Sequence, residues 1–210
     1  MITEKMLDAL RADIRERMSP KRLRHTLEVE KMAAYLADLY APECANELRA
    51  AALLHDITKE YSTDYHLKIC AERDVPLKAD ALYAPKTLHA ITAAALISEL
   101  YAEFATSEII GCVRWHTTGR ADMTLCEKLI YLADYIDLSR TFEDCVRLRE
   151  YFFSANPEAM GEEERLAHLR NTLILSFDMT VRGLLEEGAP VSPDTMDARN
   201  QLIIEKKTGL

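Results

Sequence analysis

The sequence predicts an all-α protein, and three observations carry that reading. Apolar residues recur at three- and four-residue spacing through most of the chain, and helix-capping residues stand between the periodic segments. No stretch alternates with a period of two between hairpin-turn signals, so no strand is expected. The expected architecture is one domain over residues 1–210, a bundle of roughly nine or ten helices, with 1–18 as an N-terminal helix and 189–210 as a C-terminal helical tail.

Residues 3–18 put Met6, Leu7, Leu10, Ile14 and Met18 on one helical stripe. Ser19-Pro20 reads as an N-cap followed by proline at the first helical position, opening a second helix that runs to about Tyr40. Pro42 opens a third, in which ELRAAALLHD is so dense in small and aliphatic residues that it must be interior. STDYHLKICAERD reads as a short helix ending before Pro76, and VPLKADALYAP is expected to be a loop because proline punctuates both ends. Thr87 begins a helix through Leu100, and Ser107 begins one that ends at His116, with Gly119 as a left-handed stop. Thr124-x-x-Glu127 is a capping-box pattern ahead of LIYLADYI. Another helix follows Thr141. Asn156-Pro157 leads into a long amphipathic helix over RLAHLRNTLILSFDMTVRGLLEE, closed by Gly188, and Ser192-Pro193 caps a final short helix over DTMDARNQLI.

Composition narrows the function classes. A chain of 210 residues with 49% apolar residues can bury a core without a disulfide or structural metal, so any metal is expected to do chemistry. A formal net charge of −9 argues against a nucleic-acid partner, which needs a basic surface to displace counterions. The five cysteines are scattered with no CxxC pair, against both a disulfide framework and a thiolate zinc site. The N-terminal segment mixes charges throughout and no later stretch approaches the length of a membrane span. No membrane partner and a cytoplasmic location are therefore expected.

The chemistry-bearing residues lie at helix ends and inside apolar runs. His55-Asp56 ends AALLHD, where an unpaired charge would be costly and a metal would settle the cost. Asp134 interrupts LIYLADYI with Asp137 on the same face; an N–H or arginine partner accounts for it as well as a metal does. His25 by itself is equally an exposed helix histidine, and His66 and His168 have nothing obvious around them. Imidazoles with carboxylates and no thiolate suit iron, manganese or magnesium, and less specifically zinc. Lys59, Arg120 (after the Thr117-Thr118-Gly119 turn) and Arg140 are placed to contact phosphate, although most such residues are solvated surface charges.

At this point the residues resemble a known family. The ordered set His25, His55-Asp56, Asp134 matches the H…HD…D pattern of the HD-domain phosphohydrolases. LLHDITKE, TLHAITAA, WHTTGRADMTLCEKLIYLADYID and SPDTMDARN narrow the resemblance to the YqeK family of symmetrical bis(5'-nucleosyl)-tetraphosphatases, over about residues 20 to 203. The resemblance implies an HD-domain helical bundle and hydrolysis of diadenosine tetraphosphate to two ADP by a metal-activated water. It further implies a divalent metal, iron in the family, held by His25, His55, Asp56 and Asp134. His89 and His116 would face the substrate phosphates or complete a second metal site, with Asp56 and Lys59 beside them in catalysis. His25, Lys59, Thr117, Gly119, Arg120, Arg140 and Arg199 would contact the nucleotide. A homodimer is open.

The sequence departs from the family pattern at Thr58, where alanine is usual, at Ala90, where glycine is common, and at Asp137-Leu138, where Glu-Pro is frequent. These changes bear on nucleotide preference and loop shape more than on the metal ligands. The alternatives are an HD phosphohydrolase acting on another nucleotide and a non-catalytic nucleotide-sensing module.

Overall fold

The computed structural model describes residues 2–209, so the ends of the expected 1–210 unit, Met1 and Leu210, lie outside the described residues. Among the described residues there are eleven α-helices and no strand. In chain order they are α1 (Glu4–Arg17), α2 (Pro20–Tyr40), α3 (Ala45–Leu54), α4 (Thr63–Glu72), α5 (Ala79–Tyr83), α6 (Leu88–Leu100), α7 (Ser107–Trp115), α8 (Leu125–Ile136), α9 (Glu143–Ser154), α10 (Glu162–Glu186) and α11 (Pro193–Thr208).

Local chemistry sets most of these boundaries. The side chains of Thr3, Ser19, Ser62 and Thr106 accept from backbone N–H groups in the first turns of α1, α2, α4 and α7. Thr124 and Glu127 form a complete capping box at α8. Gly119, at φ +64°, donates its N–H to the Trp115 carbonyl (2.9 Å), the left-handed stop expected after α7.

Three expectations need correction. The segment 75–85 is not all loop: Ala79–Tyr83 forms the short helix α5, and Ala81 packs with Cys70, Leu88 and Ile91 in a small satellite core. That tertiary burial overrides the proline punctuation. The terminal helix α11 runs 16 residues, well beyond DTMDARNQLI: EKKT continues it to a left-handed Gly209, whose N–H closes on the Glu205 carbonyl. With α5 added, the helices outnumber the nine or ten expected.

The main core lies where α2, α3, α7 and α8 pack on one another, filled by residues such as Leu36, Leu53, Leu54, Leu129 and Tyr131. Leu7, Leu10 and Ile14 of α1 and Phe177, Ala198 and Leu202 of α10 and α11 join the same core. A charge network also anchors α1. Buried Glu30 accepts from Arg11 Nε (2.9 Å) and Arg49 Nε (3.1 Å), and both arginines also reach Glu4. Hydrogen bonding to Arg49 holds the Glu4 carboxyl down at about 2, so its share of stability is present above pH 4.5 and is lost only as pH falls toward 2. Glu30→Ala leaves two arginines without their buried acceptor, and we expect a loss of about 2–3 kcal/mol, seen as a lower urea midpoint with unchanged slope.

Candidate metal centre

Five elements deliver the site. α2 carries His25; the turn after α3 carries His55, Asp56 and Lys59; the first turn of α6 carries His89; the end of α7 carries His116; and α8 carries Asp134, followed by Arg140. His25, His55, Asp56, His89, His116 and Asp134 are all buried.

The donor atoms converge. His25 Nε2 stands 3.0 Å from Asp134 Oδ1 and 3.7 Å from Asp56 Oδ2. His55 Nε2 is 3.4 Å from Asp56 Oδ2 and 3.7 Å from Asp134 Oδ1. Ligands at about 2.1 Å from a common ion are separated by roughly 3.0–3.4 Å; here the donor atoms of His25, His55 and Asp134 all lie within 4.8 Å of one another, as do those of His55, Asp56 and His116. The other Asp56 oxygen, Oδ1, faces a second pair: His89 Nε2 at 3.2 Å and His116 Nε2 at 3.9 Å, themselves 3.0 Å apart.

Orphaned atoms test whether a cation fits. His25 Nε2 and His55 Nε2 are buried without a hydrogen-bond partner, with Asp134 Oδ1 3.0 Å from the first. Two unsatisfied imidazole nitrogens pointing at two carboxylates are what a divalent ion would satisfy. The set holds no thiolate, consistent with a borderline or hard ion.

Two of the histidines have their tautomer set locally. His55 Nδ1 donates to the Ala52 carbonyl (2.6 Å) and His116 Nδ1 to the Val113 carbonyl (2.7 Å). Both carbonyls belong to the last turn of a helix, where no intrahelical N–H is available, so Nε2 is the atom left facing the centre. His25 instead relies on tertiary partners, Ser139 Oγ at 3.2 Å and Asp137 Oδ2 at 3.4 Å from its Nδ1.

Electrostatics follow from burial set against close charges. Burial pushes the Asp56 carboxyl up, but His55 and His89 outweigh it and hold it well below the usual carboxylate range. Asp134 is likewise depressed against its burial, chiefly by Arg140. Burial lowers Lys59 and His89 and takes His116 well below the ordinary imidazole value, which leaves both rings neutral near pH 7. His25 goes the other way: burial alone would lower it, but Asp134 and Asp137 raise it to about 9.

The structure brings together His25, His55, Asp56, Lys59, His89, His116, Asp134 and Arg140. Lys59 Nζ lies 3.2 Å from the His89 ring nitrogens, and Arg140 grips Asp134 through both its carboxylate and, at 2.9 Å, its carbonyl. The arginine partner weighed for Asp134 and the metal-ligand role are thus compatible. Thr117 leaves its buried hydroxyl without a partner. Three expected nucleotide contacts are engaged elsewhere. Arg120 is held by Glu127 of the capping box, at 3.0 and 3.1 Å. Arg199 pairs with Asp178 across α10 and α11. Gly119 packs so closely under α10 that a Cβ would stand 2.7 Å from the Phe177 ring. The contacts they make here are a clamp, a helix–helix pair and a close approach. His168, bonded to the Phe152 carbonyl (3.0 Å), is a core histidine.

Sequence reading missed Arg22, which pairs with Asp56 from the first turn of α2. Its spacing, three residues before His25, places both on one helix face and was the available signal.

A helical scaffold with a His, His-Asp, Asp centre at its core defines a metal-binding protein of the HD class. The chain belongs to the HD domain family, whose profile matches residues 22–139, the stretch that holds every proposed ligand. Relatives include proteins named symmetrical bis(5'-nucleosyl)-tetraphosphatase. That of Staphylococcus aureus is 32% identical over 186 residues, covering 89% of each chain. That of Bacillus subtilis is 30% identical over 192 residues, covering 91% of this chain and 95% of the relative. That of Halalkalibacterium halodurans is 28% identical over 194 residues, covering 92% and 95%. A crystal structure of a predicted HD superfamily hydrolase involved in NAD metabolism, from Clostridium acetobutylicum, superposes with a TM-score of 0.80 at 28% identity, covering 98% of this chain and 99% of that one. No helix among the described residues is long and apolar enough to cross a membrane.

The protonated His25 stabilises the metal-free fold below pH 6.5, and that contribution is lost as pH rises through about 9. A metal must displace that proton. We expect binding at pH 7 to release a proton and apparent affinity to rise between pH 6.5 and 9. Titration calorimetry in buffers of different ionisation enthalpy measures both.

Proposed function

We propose that the protein hydrolyses dinucleoside tetraphosphates, splitting diadenosine tetraphosphate into two ADP. The observation that carries this reading is the Asp56 carboxylate, with one oxygen in the His25, His55, Asp134 cluster and the other toward His89 and His116. Support comes from the three relatives named for that activity, each aligned over about nine-tenths of this chain.

His25, His55, Asp56 and Asp134 would hold the cation, for which we assign iron; the same donors accept manganese, magnesium or zinc. Asp56 with His89 and His116 offers a place for a second ion. A bound divalent cation supplies an acidified water and neutralises charge on the phosphoryl group. Arg22 and Arg140, each already on a ligand carboxylate, present guanidinium groups to the phosphate oxygens at the rim. Lys59 adds a mobile positive charge to the bridging and equatorial oxygens as the bond breaks. Asp56, held ionised, is suited to orienting the attacking water, with the neutral His89 ring beside it at 3.2 Å. A cavity of about 370 Å³, lined by Arg114, Trp115, Thr118 and Asp194 around the turn that carries His116, has the size and stacking surface for a nucleoside end. The five cysteines are all free, which suits the reducing cytoplasm.

The test is product identity. Metal-loaded protein given diadenosine tetraphosphate, with products resolved by anion exchange, should yield two ADP. ATP plus AMP, or tight binding with no turnover, would overturn the assignment. Lys59→Ala should lower kcat by about 10²–10³ with metal content intact, whereas Asp134→Asn should lose the metal as well. A Lys59→Ala protein that emerges without metal contradicts this division of roles.

A further inference from the structure

The turn after α3 and the first turn of α6 are joined by buried polar groups outside the metal centre. The Thr58 hydroxyl donates to the His89 carbonyl (2.8 Å) and lies 2.9 Å from Thr92 Oγ1. Thr92 Oγ1 also lies 3.1 Å from the Leu88 carbonyl, and His66 Nδ1 stands 2.8 Å from Thr92 Oγ1. All three side chains are buried.

Proton counting sets the directions. Each hydroxyl has a single proton: Thr58 gives its own to the His89 carbonyl, so across the 2.9 Å contact Thr92 is the donor to Thr58 Oγ1, and His66 Nδ1–H donates to Thr92 Oγ1. Burial lowers the His66 pKa, which keeps the ring neutral. Thr58 lies between Asp56 and Lys59, and the His89 ring touches both: Nε2 is 3.2 Å from Asp56 Oδ1, and Lys59 Nζ is 3.2 Å from the ring. The hydroxyl therefore ties the His89 backbone to the same short turn that supplies the two partners of its side chain. Buried hydroxyls carry a desolvation cost that alanine and valine would avoid; what they provide here is a directional lock between two elements.

We propose that Thr58, Thr92 and His66 are positioning residues, a buried relay that holds the first turn of α6 against the turn after α3 and fixes where the His89 ring stands between Asp56, Lys59 and His116. The consequence for turnover rests on the hydrolase reading above; the consequence for the His89 ring does not. A ring displaced by a fraction of an ångström weakens contacts made in the transition state more than those made in the ground state, so kcat changes and KM does not.

Thr58→Val keeps the volume and removes the hydroxyl, and Thr58→Ser keeps the hydroxyl. In the metal-loaded full chain, Thr58→Val should lower kcat for diadenosine tetraphosphate by about tenfold or more, with KM and metal content unchanged. Thr58→Ser should restore most of the rate. In a His89→Ala background, Thr58→Val should have no further effect, because the group it positions is gone. The readout that does not need turnover is the ¹H–¹⁵N correlation of the His89 ring in zinc-loaded protein, which should shift in Thr58→Val and return in Thr58→Ser. His66→Phe, which removes the donor far from the ligands, should shift it too and serves if Thr58→Val does not fold. Unshifted His89 resonances, or Thr58→Val and His89→Ala effects that multiply, overturn the relay. An inactive wild type whose His89 resonances still shift in the variants keeps the relay and removes the substrate assignment.

Discussion

Two buried carboxylates, Asp56 and Asp134, are the constraint around which the rest of the structure is arranged. An ionised group taken out of water costs several kcal/mol unless opposite charge and hydrogen bonds surround it. Here both are held ionised against their burial. Arg22 reaches Asp56 from α2, Arg140 reaches Asp134 from beyond α8, and His25 lies against both carboxylates. The centre therefore ties three helices together electrostatically as well as through the apolar core. A divalent cation in the same place would add positive charge between the two carboxylates and satisfy the two imidazole nitrogens that have no hydrogen-bond partner.

Helix ends are the second device. His55 and His116 each follow a helix of the central packing group, and each uses an orphan carbonyl three residues earlier to fix its ring. The helices themselves are rigid because their buried faces are continuous: Leu48, Leu53 and Leu54 in α3, Ile109, Cys112 and Val113 in α7. Irregular backbone is confined to the residues just past those ends, where side chains can point inward without breaking a hydrogen-bond ladder. Gly119 completes this on α7, since its left-handed conformation and missing Cβ let the chain turn beneath Phe177.

Around the centre, positive groups fall into two kinds. Arg22, Lys59 and Arg140 contact residues of the central cluster, Asp56, His89 and Asp134. Arg120, Arg49 and Arg11 are committed to buried glutamates, and what they hold is the relation of one helix to the next. The same residue type thus meets its acidic partner either at the centre or within the helical scaffold.

The sequence by itself determined the helical class and most helix starts, because these follow from local periodicity and capping chemistry. His55-Asp56 and Asp134 were visible as ionisable residues where a core was expected. Arg120 and Lys59 were not distinguishable by the same reading, since both are cations near turns. Only the tertiary structure separates their surroundings, placing Glu127 against the one and His89 against the other. It likewise decided that 79–83 is a helix, that Arg22 joins the centre, and that Thr58, Thr92 and His66 meet, residues 34 and 26 apart along the chain in their two pairings. Pairings at such separation depend on how elements dock, and docking is settled by the packing of whole faces rather than by any short stretch of residues.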